Sequence, residues 1–435
     1  MSYETEVNRW VEENKSEILL HLSELIRIRT ENVPPHGNER NGQEYLYDLF
    51  SRLIPAAEFD LFEIDEVSGI RENSFYFPTV DGIQKDYRGR PNLVAKLTGT
   101  SKGNSIVFSG HIDTMSAEGE KWTIVRDPFS GKLVGGKMYG RGSCDMKAGV
   151  IAGFFALKCL YDLKVRLKGD VFAESVIDEE YGGVNGTIAC RLRNPGIDFA
   201  ILAEPTGLTA GIETTGGTDF KISVRGSGVG GLDSARAGQA NPLYKLGRIV
   251  LALEKYEKVR NERLRIPDTF KSKKVLHLWT YQVFSGGSRY IESQSIPTSG
   301  HIYLWLEMFS YMNGEEEKKR MKKFIERELE GYQEGKEFSV EIDNVIRFMS
   351  GHRTDVIHPG LTSLKGSCAI LGIPYRQEGL GLTCDAFTFK PVGNTEVVVF
   401  GPRGGNIHGI DEYVEVESVF DLIRVMVCTA IDYCG

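Results

Sequence analysis

Three carboxylates follow an apolar run in the segment ESVIDEEYGG, residues 174–183. Asp178, Glu179 and Glu180 stand where a buried strand is expected to end, and no lysine or arginine occurs in the next ten residues. Like charges this close raise one another's pKa and resist burial unless a cation lies among them. The segment is therefore either a solvated turn or one part of a cation site.

Four further segments place a histidine or a carboxylate after an apolar strand or before a buried helix. They supply His111 and Asp113 (SGHID), Asp145 (GSCDMKAG), Glu204 (ILAEPTG) and His408 (GGNIHGIDEYV). Asp113 shares a face with His111 in extended chain and can accept its second ring N–H. Taken alone, such residues can be explained without a metal: His-x-Asp can be a structural hydrogen-bonded pair, and Asp145 can be the N-cap of a helix. Together they indicate a divalent-cation site, because strand-end loops of an open α/β sheet converge on one crevice.

The elements around these residues predict an α/β fold with a mixed sheet and helices on both faces. The strands stay apolar along their whole length, which is typical of a sheet covered on both sides. The predicted elements are an opening helix over 4–28, strands over 91–99, 105–113, 169–177 and 198–204, and a buried helix over 148–163.

The pattern changes near residue 216, where strands begin to alternate apolar and polar residues. The order β-α-β-β-α-β over about 130 residues matches a ferredoxin-like α+β unit. We therefore expect one domain formed by 1–215 and 353–435, and a second, self-contained domain inserted into it and formed by 216–352. The glycine cluster at 226–231 lacks the GK[ST] of a phosphate loop, so no nucleotide site is expected.

Composition excludes several classes of protein. A net charge of −8 with both signs mixed argues against nucleic-acid binding. No segment has the roughly 18 apolar residues that span a membrane, and the polar N-terminus does not resemble a signal peptide. Seven scattered cysteines without CxxC spacing argue against a disulfide framework and a thiolate zinc site. We expect a cytoplasmic protein.

The motifs GHIDTM, GRGSCDMKAG, DEEYGG, AEPTG and IHGIDEYV, in this order, resemble the dinuclear zinc hydrolases. That family includes acetylornithine deacetylase, succinyl-diaminopimelate desuccinylase, aminoacylases and glutamate carboxypeptidases, and the resemblance covers essentially the whole chain. It implies that 1–215 and 353–435 form a zinc-hydrolase catalytic domain and that 216–352 form a lid or dimerisation domain. In the catalytic domain it implies that His111, Asp145 and Glu204 bind one metal. It implies that Asp145 also bridges to a second metal held by Glu180 and His408.

The resemblance further implies that Asp113 orients His111 and that Glu179 is the general base. The expected cofactors are two divalent ions, with zinc first and Co²⁺ or Mn²⁺ also compatible with these ligands. The expected partners are a small-molecule amide substrate and a second copy of the chain, bound through the inserted domain.

Several positions depart from the family pattern. The lid histidine in RGxxAHSG is replaced by Gly230 or a neighbour, and the asparagine before the IP pair by Gln294. Candidate substitutes for that histidine as oxyanion helper are His277, His301 and Arg236, while His358 is expected to be a loop histidine. Asp385 resembles a family TDA stretch near the site, and Cys144 is expected to be a packing residue.

The predicted function is hydrolysis of an amide bond, N-acyl or N-formyl, in a small molecule. One alternative is a dipeptidase or carboxypeptidase of the same family, which needs a group that grips a free α-carboxylate. An alternative of another class is a binding protein that keeps the fold without catalysis. Glu179 argues against it, because such a protein has no physical need for a base beside the ligands.

Overall fold

The structure is a computed structural model that describes residues 2–226, 241–286, 297–330, 332 and 338–435, with the side chain of Phe338 excepted. Within these residues the α-helices are α1 (Tyr3–Arg27), α2 (Arg40–Leu53), α3 (Ala148–Asp162), α4 (Asn185–Arg193), α5 (Pro242–Glu262), α6 (Gly314–Leu329), α7 (Pro359–Ile370), α8 (Ala386–Gly393) and α9 (Val416–Cys434). A short 3₁₀ turn covers Ile64–Glu66, and an irregular turn, Ser143–Lys147, leads into α3.

The strands are numbered in chain order through the same described residues. They are β1 (Asn32–Val33), β2 (His36–Gly37), β3 (Glu58–Glu63), β4 (Thr79–Val80), β5 (Ile83–Gln84), β6 (Pro91–Leu97), β7 (Ile106–His111), β8 (Lys132–Val134), β9 (Lys137–Tyr139), β10 (Val171–Val176), β11 (Phe199–Leu202), β12 (Thr209–Thr214), β13 (Gly216–Gly226), β14 (Leu278–Ser285), β15 (Ser299–Met308), β16 (Phe338–Asn344), β17 (Arg376–Leu380), β18 (Glu396–Val399), β19 (Gly404–Gly405) and β20 (Tyr413–Glu415).

The chain divides into two compact units. The first consists of Met1–Glu213, Arg353–Leu380 and Cys384–Gly435, and the second of Thr214–His352 with Gly381–Thr383. The roles expected for the two domains, catalysis for one and a lid or dimer contact for the other, remain predictions.

The first unit is built on a mixed eight-stranded sheet, as predicted, with the order β17-β12-β18-β11-β7-β10-β6-β3. Strands β18, β11, β7 and β10 run parallel, while β6, β3 and β12 are antiparallel to their neighbours. Every residue of the four parallel strands is buried. Because successive side chains point to opposite faces, the sheet is covered on both sides there.

Parallel strands bring their carboxyl ends to one edge of the sheet. Strand β7 ends at His111, which is in register with Val176, the last residue of β10. Strand β11, on the other side of β7, ends at Leu202, two residues before Glu204. Three of the predicted ligand segments therefore start side by side at this edge.

The second unit has the ferredoxin-like order predicted from the sequence. Its four strands are antiparallel and lie in the order β14-β15-β13-β16, with α5 and α6 in the two connections. Alternation along β13 and β15 turns one face towards these helices. The buried core of this unit includes Phe220, Ile222, Leu246, Leu253, Ile302, Leu304, Met321 and Ile325.

Candidate metal centre

The predicted ligands come from five separate segments of the first unit. His111 is the last residue of β7 and is 1% exposed, while Glu180 and Glu204 follow β10 and β11. Asp145 lies in the irregular turn before α3, and His408 lies in the loop between β19 and β20. The fold thus brings residues up to about 300 positions apart in the chain to one place.

His111 is the centre of a first group of contacts. Its Nε2 atom lies 2.9 Å from Asp145 Oδ1, 3.8 Å from Glu204 Oε1 and 3.9 Å from Glu179 Oε2. All these side chains are at most 13% exposed. The first predicted ligand set, with the predicted base beside it, is therefore a single cluster.

His408 is the centre of a second group. Its Nε2 atom lies 2.8 Å from Glu180 Oε2 and 3.2 Å from Asp145 Oδ2. One oxygen of Asp145 thus faces His111 and the other faces His408. This is the arrangement that a carboxylate shared between two cations requires.

The charges of this cluster are not balanced by basic side chains. Among the described residues, the ion pairs of Asp145, Glu179, Glu180 and Glu204 are with histidines alone. Burial raises the pKa of Glu179 and Glu204 well above the ordinary value, and neighbouring carboxylates add to the effect. The charge of Glu180 raises the pKa of His408 to about 12, although burial opposes it.

The donor set therefore fits a pair of divalent cations. Imidazole nitrogens and carboxylate oxygens are the ligands that Zn²⁺, Co²⁺ and Mn²⁺ accept. Cations among the carboxylates would reverse the effect of burial and keep them ionised. The side chains of His111, Asp145 and Glu180 bring one potential ligand atom each within 4.8 Å of one another.

Asp113 makes two kinds of contact. His111 Nδ1 lies 2.9 Å from the Asp113 carbonyl oxygen and 3.6 Å from carboxylate Oδ1, so the closer contact is with the backbone. Carboxylate Oδ2 accepts hydrogen bonds from the backbone N–H of Glu179 at 3.0 Å and of Glu180 at 3.2 Å. Asp113 thus fixes the segment that carries the predicted base, while its proposed role in orienting His111 remains a prediction.

Asp178, the third acid of DEE, lies outside the cluster. Its backbone has φ +69°, and its buried carboxylate pairs with Lys85 Nζ at 2.6 Å. It also accepts hydrogen bonds from Tyr87 Oη at 2.8 Å and Asn185 Nδ2 at 3.2 Å. The cation that balances Asp178 thus comes from 93 residues upstream, and the residues around DEE give no sign of it.

Asp385 lies beside Glu204, together with Cys384. Thr187 donates its hydroxyl to Asp385 Oδ2, while Oδ1 is buried without a hydrogen-bond partner among the described atoms. Burial raises the pKa of this carboxyl to about 6. Asp385 is thus placed next to the predicted ligands. Cys144 is fully buried, and burial raises the pKa of its thiol well above the usual value.

The remaining candidates lie elsewhere or outside the described residues. His358 accepts a hydrogen bond from Gly360 N–H at the start of α7 and stacks on Phe199, as a structural loop histidine does. His277 and His301 belong to the second unit, where His277 stacks on a tryptophan and His301 contacts a serine hydroxyl. Gly230, Arg236 and Gln294 lie outside the residues that the structure describes.

Two functional candidates, Arg141 and Glu412, were missed by sequence reasoning. Both are buried, and together they contact the loops of Asp145 and His408. Each lies in a motif that was recognised in the sequence, four residues from a predicted ligand. A charged residue at such a position was the signal that could have identified them.

A mixed α/β sheet with imidazole and carboxylate side chains clustered beside the carboxyl ends of its parallel strands is the arrangement expected of a metal-dependent hydrolase. Residues 107–432 match the model of Peptidase family M20/M25/M40, and the chain belongs to this family. The resemblance inferred from the five motifs is thereby confirmed.

Two relatives match nearly all or most of the chain. The chain is 25% identical to N-formyl-4-amino-5-aminomethyl-2-methylpyrimidine deformylase of Bacillus subtilis over 98% of its own length and 96% of the relative's. It is 27% identical to succinyl-diaminopimelate desuccinylase of Sulfurimonas denitrificans, with coverages of 81% and 92%.

Solved structures show the same fold at lower identity. The dipeptidase Dug1p of Saccharomyces cerevisiae gives a TM-score of 0.76 at 14% identity, covering 100% of this chain and 99% of that one. A dinuclear metal binding peptidase from the M20 family of Bacillus subtilis gives 0.60 at 14% identity, with coverages of 96% and 98%.

Proposed function

We propose that this chain is a metal-dependent hydrolase that cleaves the amide bond of a small N-acyl or N-formyl compound. The observation that carries the proposal is the shared carboxylate of Asp145, which faces both His111 and His408. Similarity over nearly the full length to a deformylase, and over most of the chain to a desuccinylase, supports the amide as the bond that is cleaved.

The two groups of contacts support the metal-binding residues that the family resemblance implies. His111, Asp145 and Glu204 would hold one divalent ion, and Asp145, Glu180 and His408 the other, with zinc as the proposed metal. When bound, such ions supply Lewis acidity, which activates water and polarises a carbonyl group. His111, Asp145, Glu180 and Glu204 are at most 13% exposed, which strengthens the charge interactions among them, whereas the His408 side chain is 47% exposed and lies on the solvent side of the site.

Glu179 is the proposed general base. Its carboxylate lies beside His111, is 13% exposed, and is held through its backbone N–H by Asp113. Glu179 takes a proton from the attacking water as the oxygen–carbon bond forms, and delivers it to the amide nitrogen as the carbon–nitrogen bond breaks. The products are a carboxylic acid and a free amine.

A substrate panel tests the proposal. Purified protein loaded with Zn²⁺, Co²⁺ or Mn²⁺ is given N-formyl, N-acetyl and N-succinyl amines and unblocked dipeptides, and release of free amine is measured. We expect hydrolysis of at least one N-acyl class. Hydrolysis of dipeptides alone would contradict the proposal. It would favour the peptidase alternative, since solved peptidases share the fold of this chain.

The second unit supports the proposal of a homodimer. Strand β14 is at the end of its sheet, and it exposes Trp279, Val283 and Phe284, the last of these at 53%. An apolar strand at a sheet edge is a surface on which a second copy can pair. Light scattering should give twice the chain mass, and Phe284→Glu should lower it; a monomeric wild-type mass would contradict the proposal.

The proposed compartment is the cytoplasm. All seven cysteines are free and buried, as expected where thiols remain reduced. Among the helices that the structure describes, none combines the length and the apolar composition that a membrane crossing needs.

A further inference from the structure

A buried ion pair connects two of the loops that carry predicted metal ligands. Arg141 Nη1 lies 3.0 Å from Glu412 Oε2, and both side chains are 1% exposed. The two residues are 271 positions apart. Arg141 precedes Asp145 in the GRGSCDMKAG motif, and Glu412 follows His408 in the IHGIDEYV motif.

Glu412 fixes the turn that carries Asp145. Its Oε1 atom accepts hydrogen bonds from the backbone N–H of Cys144 at 2.9 Å and of Asp145 at 3.2 Å, and its Oε2 accepts from Gly142 N–H at 3.1 Å. These N–H groups precede α3 and lie in a turn whose backbone is not helical at Asp145. The Glu412 carboxylate therefore accepts the hydrogen bonds of N–H groups that have no carbonyl partner within a helix. By fixing this turn it sets the direction of the Asp145 side chain.

Arg141 fixes the loop that carries His408. Its guanidinium donates to the backbone carbonyls of Gly409 at 3.3 Å and His408 at 3.4 Å, and to Glu120 Oε1 at 2.6 Å. His408 has φ +60°, a conformation that residues other than glycine rarely adopt. The surrounding structure must hold such a residue in place, and the Arg141 fork supplies these contacts.

The ligands of the two proposed metal sites differ in how they are supported. His111 and Glu204 are carried on or directly after β7 and β11, two paired central strands. Asp145, which belongs to both sites, and His408, which belongs to the second alone, are instead held in loops through Glu412 and Arg141. Removal of the ion pair should therefore disturb the second site more than the first.

We propose that Arg141 and Glu412 are positioning residues that set the affinity of the metal site formed by Asp145, Glu180 and His408. The inference depends on the proposed function in one respect, namely that these residues hold a divalent ion. Groups that orient metal ligands typically change metal affinity by about 10–100-fold when they are removed.

The test measures metal binding directly. Glu412→Gln keeps the size of the side chain and removes its charge, and Arg141→Lys keeps a charge and removes the planar fork. Each variant is stripped of metal and titrated with Co²⁺ against a competing chelator, with the visible absorption of bound cobalt recorded at each step. Glu174→Gln is the matched control, because Glu174 forms another fully buried pair, with Arg191, in the same unit.

We expect two binding steps in the wild-type protein. In Glu412→Gln and Arg141→Lys one of the two steps should lose about 10–100-fold in affinity, the range for such supporting groups, while the other step changes less. Excess Co²⁺ should restore hydrolysis in both variants. In the control, thermal stability should fall without loss of either binding step.

Two results would separate the inference from the proposed function. If both steps have wild-type affinity in Glu412→Gln and Arg141→Lys, the positioning role is wrong even when the wild-type enzyme hydrolyses amides. If the wild-type protein binds two ions but cleaves no N-acyl amide, the proposed function fails, while a selective loss in the variants still supports the positioning role. Equal loss in the Glu174→Gln control would assign the effect to general destabilisation and overturn the inference.

Discussion

Two groups of buried or partly buried carboxylates in the first unit have opposite environments. In the first group, Asp178 and Glu412 each form an ion pair with a buried cation, Lys85 and Arg141. The second group comprises Asp145, Glu179, Glu180 and Glu204; with His111 and His408 these acids form what we name the ligand cluster, after the proposed metal ligands that it contains. The ion pairs of these four acids, within the described residues, are with histidines.

The contrast is sharpest between Asp178 and Glu179, which are adjacent in the chain. Asp178 has left-handed backbone and turns towards Lys85, Tyr87 and Asn185. Glu179 turns to the ligand cluster, where burial raises its pKa. A buried carboxylate with its own cation has its charge compensated within the fold, whereas one without such a partner is available for chemistry or for a metal.

Of the proposed changes, removal of the metal should have the largest effect, because it leaves the ligand cluster without its cations. Dialysis against a chelator should abolish amide hydrolysis and lower the melting temperature, since ions bound at a thousand times their dissociation constant add about 4 kcal/mol to stability. Activity and calorimetry provide the measurements, and added Zn²⁺, Co²⁺ or Mn²⁺ should restore both. Unchanged activity in protein shown by elemental analysis to be metal-free would refute the assignment of the ligand cluster.

Glu179→Gln tests the base alone. The substitution keeps the size of the side chain and removes its ability to take a proton, so kcat should fall by roughly 10²–10⁴-fold. Metal content, measured by elemental analysis, should stay at the wild-type value because Glu179 is not a proposed ligand. A kcat within tenfold of wild type would mean that another group accepts the proton.

The sequence predicted that the side chains of the ligand cluster would lie together because most of them follow apolar strands. Apolar strands without alternation predict a sheet covered on both faces, and parallel strands end at one edge. His111, Glu180 and Glu204 could be placed in this way, as could the β-α-β-β-α-β order of the second unit. Asp145 and His408 depended on the motifs, because Asp145 precedes a helix and a glycine-rich loop separates His408 from its apolar strand.

The charge partners of the paired carboxylates could not be predicted. Lys85 and Asp178 are 93 positions apart, and Arg141 and Glu412 are 271 positions apart. A pairing at such separation depends on how loops cross, and local sequence carries no signal of it. For the same reason the Asp113 carboxylate, expected at the His111 ring, also binds the backbone N–H groups of Glu179 and Glu180.

Lys85→Met removes the cation that pairs with Asp178 and changes no proposed metal ligand. It leaves Asp178 buried without its cation, which typically costs about 3–5 kcal/mol in the free energy of unfolding. Urea denaturation measures the loss. Arg193→Gln, which removes a partly exposed pair with Asp60, is the control and should change stability by no more than about 1 kcal/mol. Similar losses in the two variants would show that burial of Asp178 is not the cause.

Asp219 in the second unit is intermediate between the two groups of carboxylates, because it has a hydrogen-bond donor but no ion pair among the described residues. Its substitution is expected to have the smallest effect. Its carboxylate accepts a hydrogen bond from Tyr281 Oη at 3.0 Å, and burial raises its pKa from 3.8 to about 6. Between these values the folded chain keeps a proton that the unfolded chain has released, so this group's contribution to stability falls as pH rises from about 4 to 6 and stays low above. Asp219→Asn should remove that fall, which amounts to roughly 2–3 kcal/mol. Urea denaturation of both proteins at several pH values checks it, and parallel curves would show that Asp219 titrates normally and that burial without a cation is tolerated there.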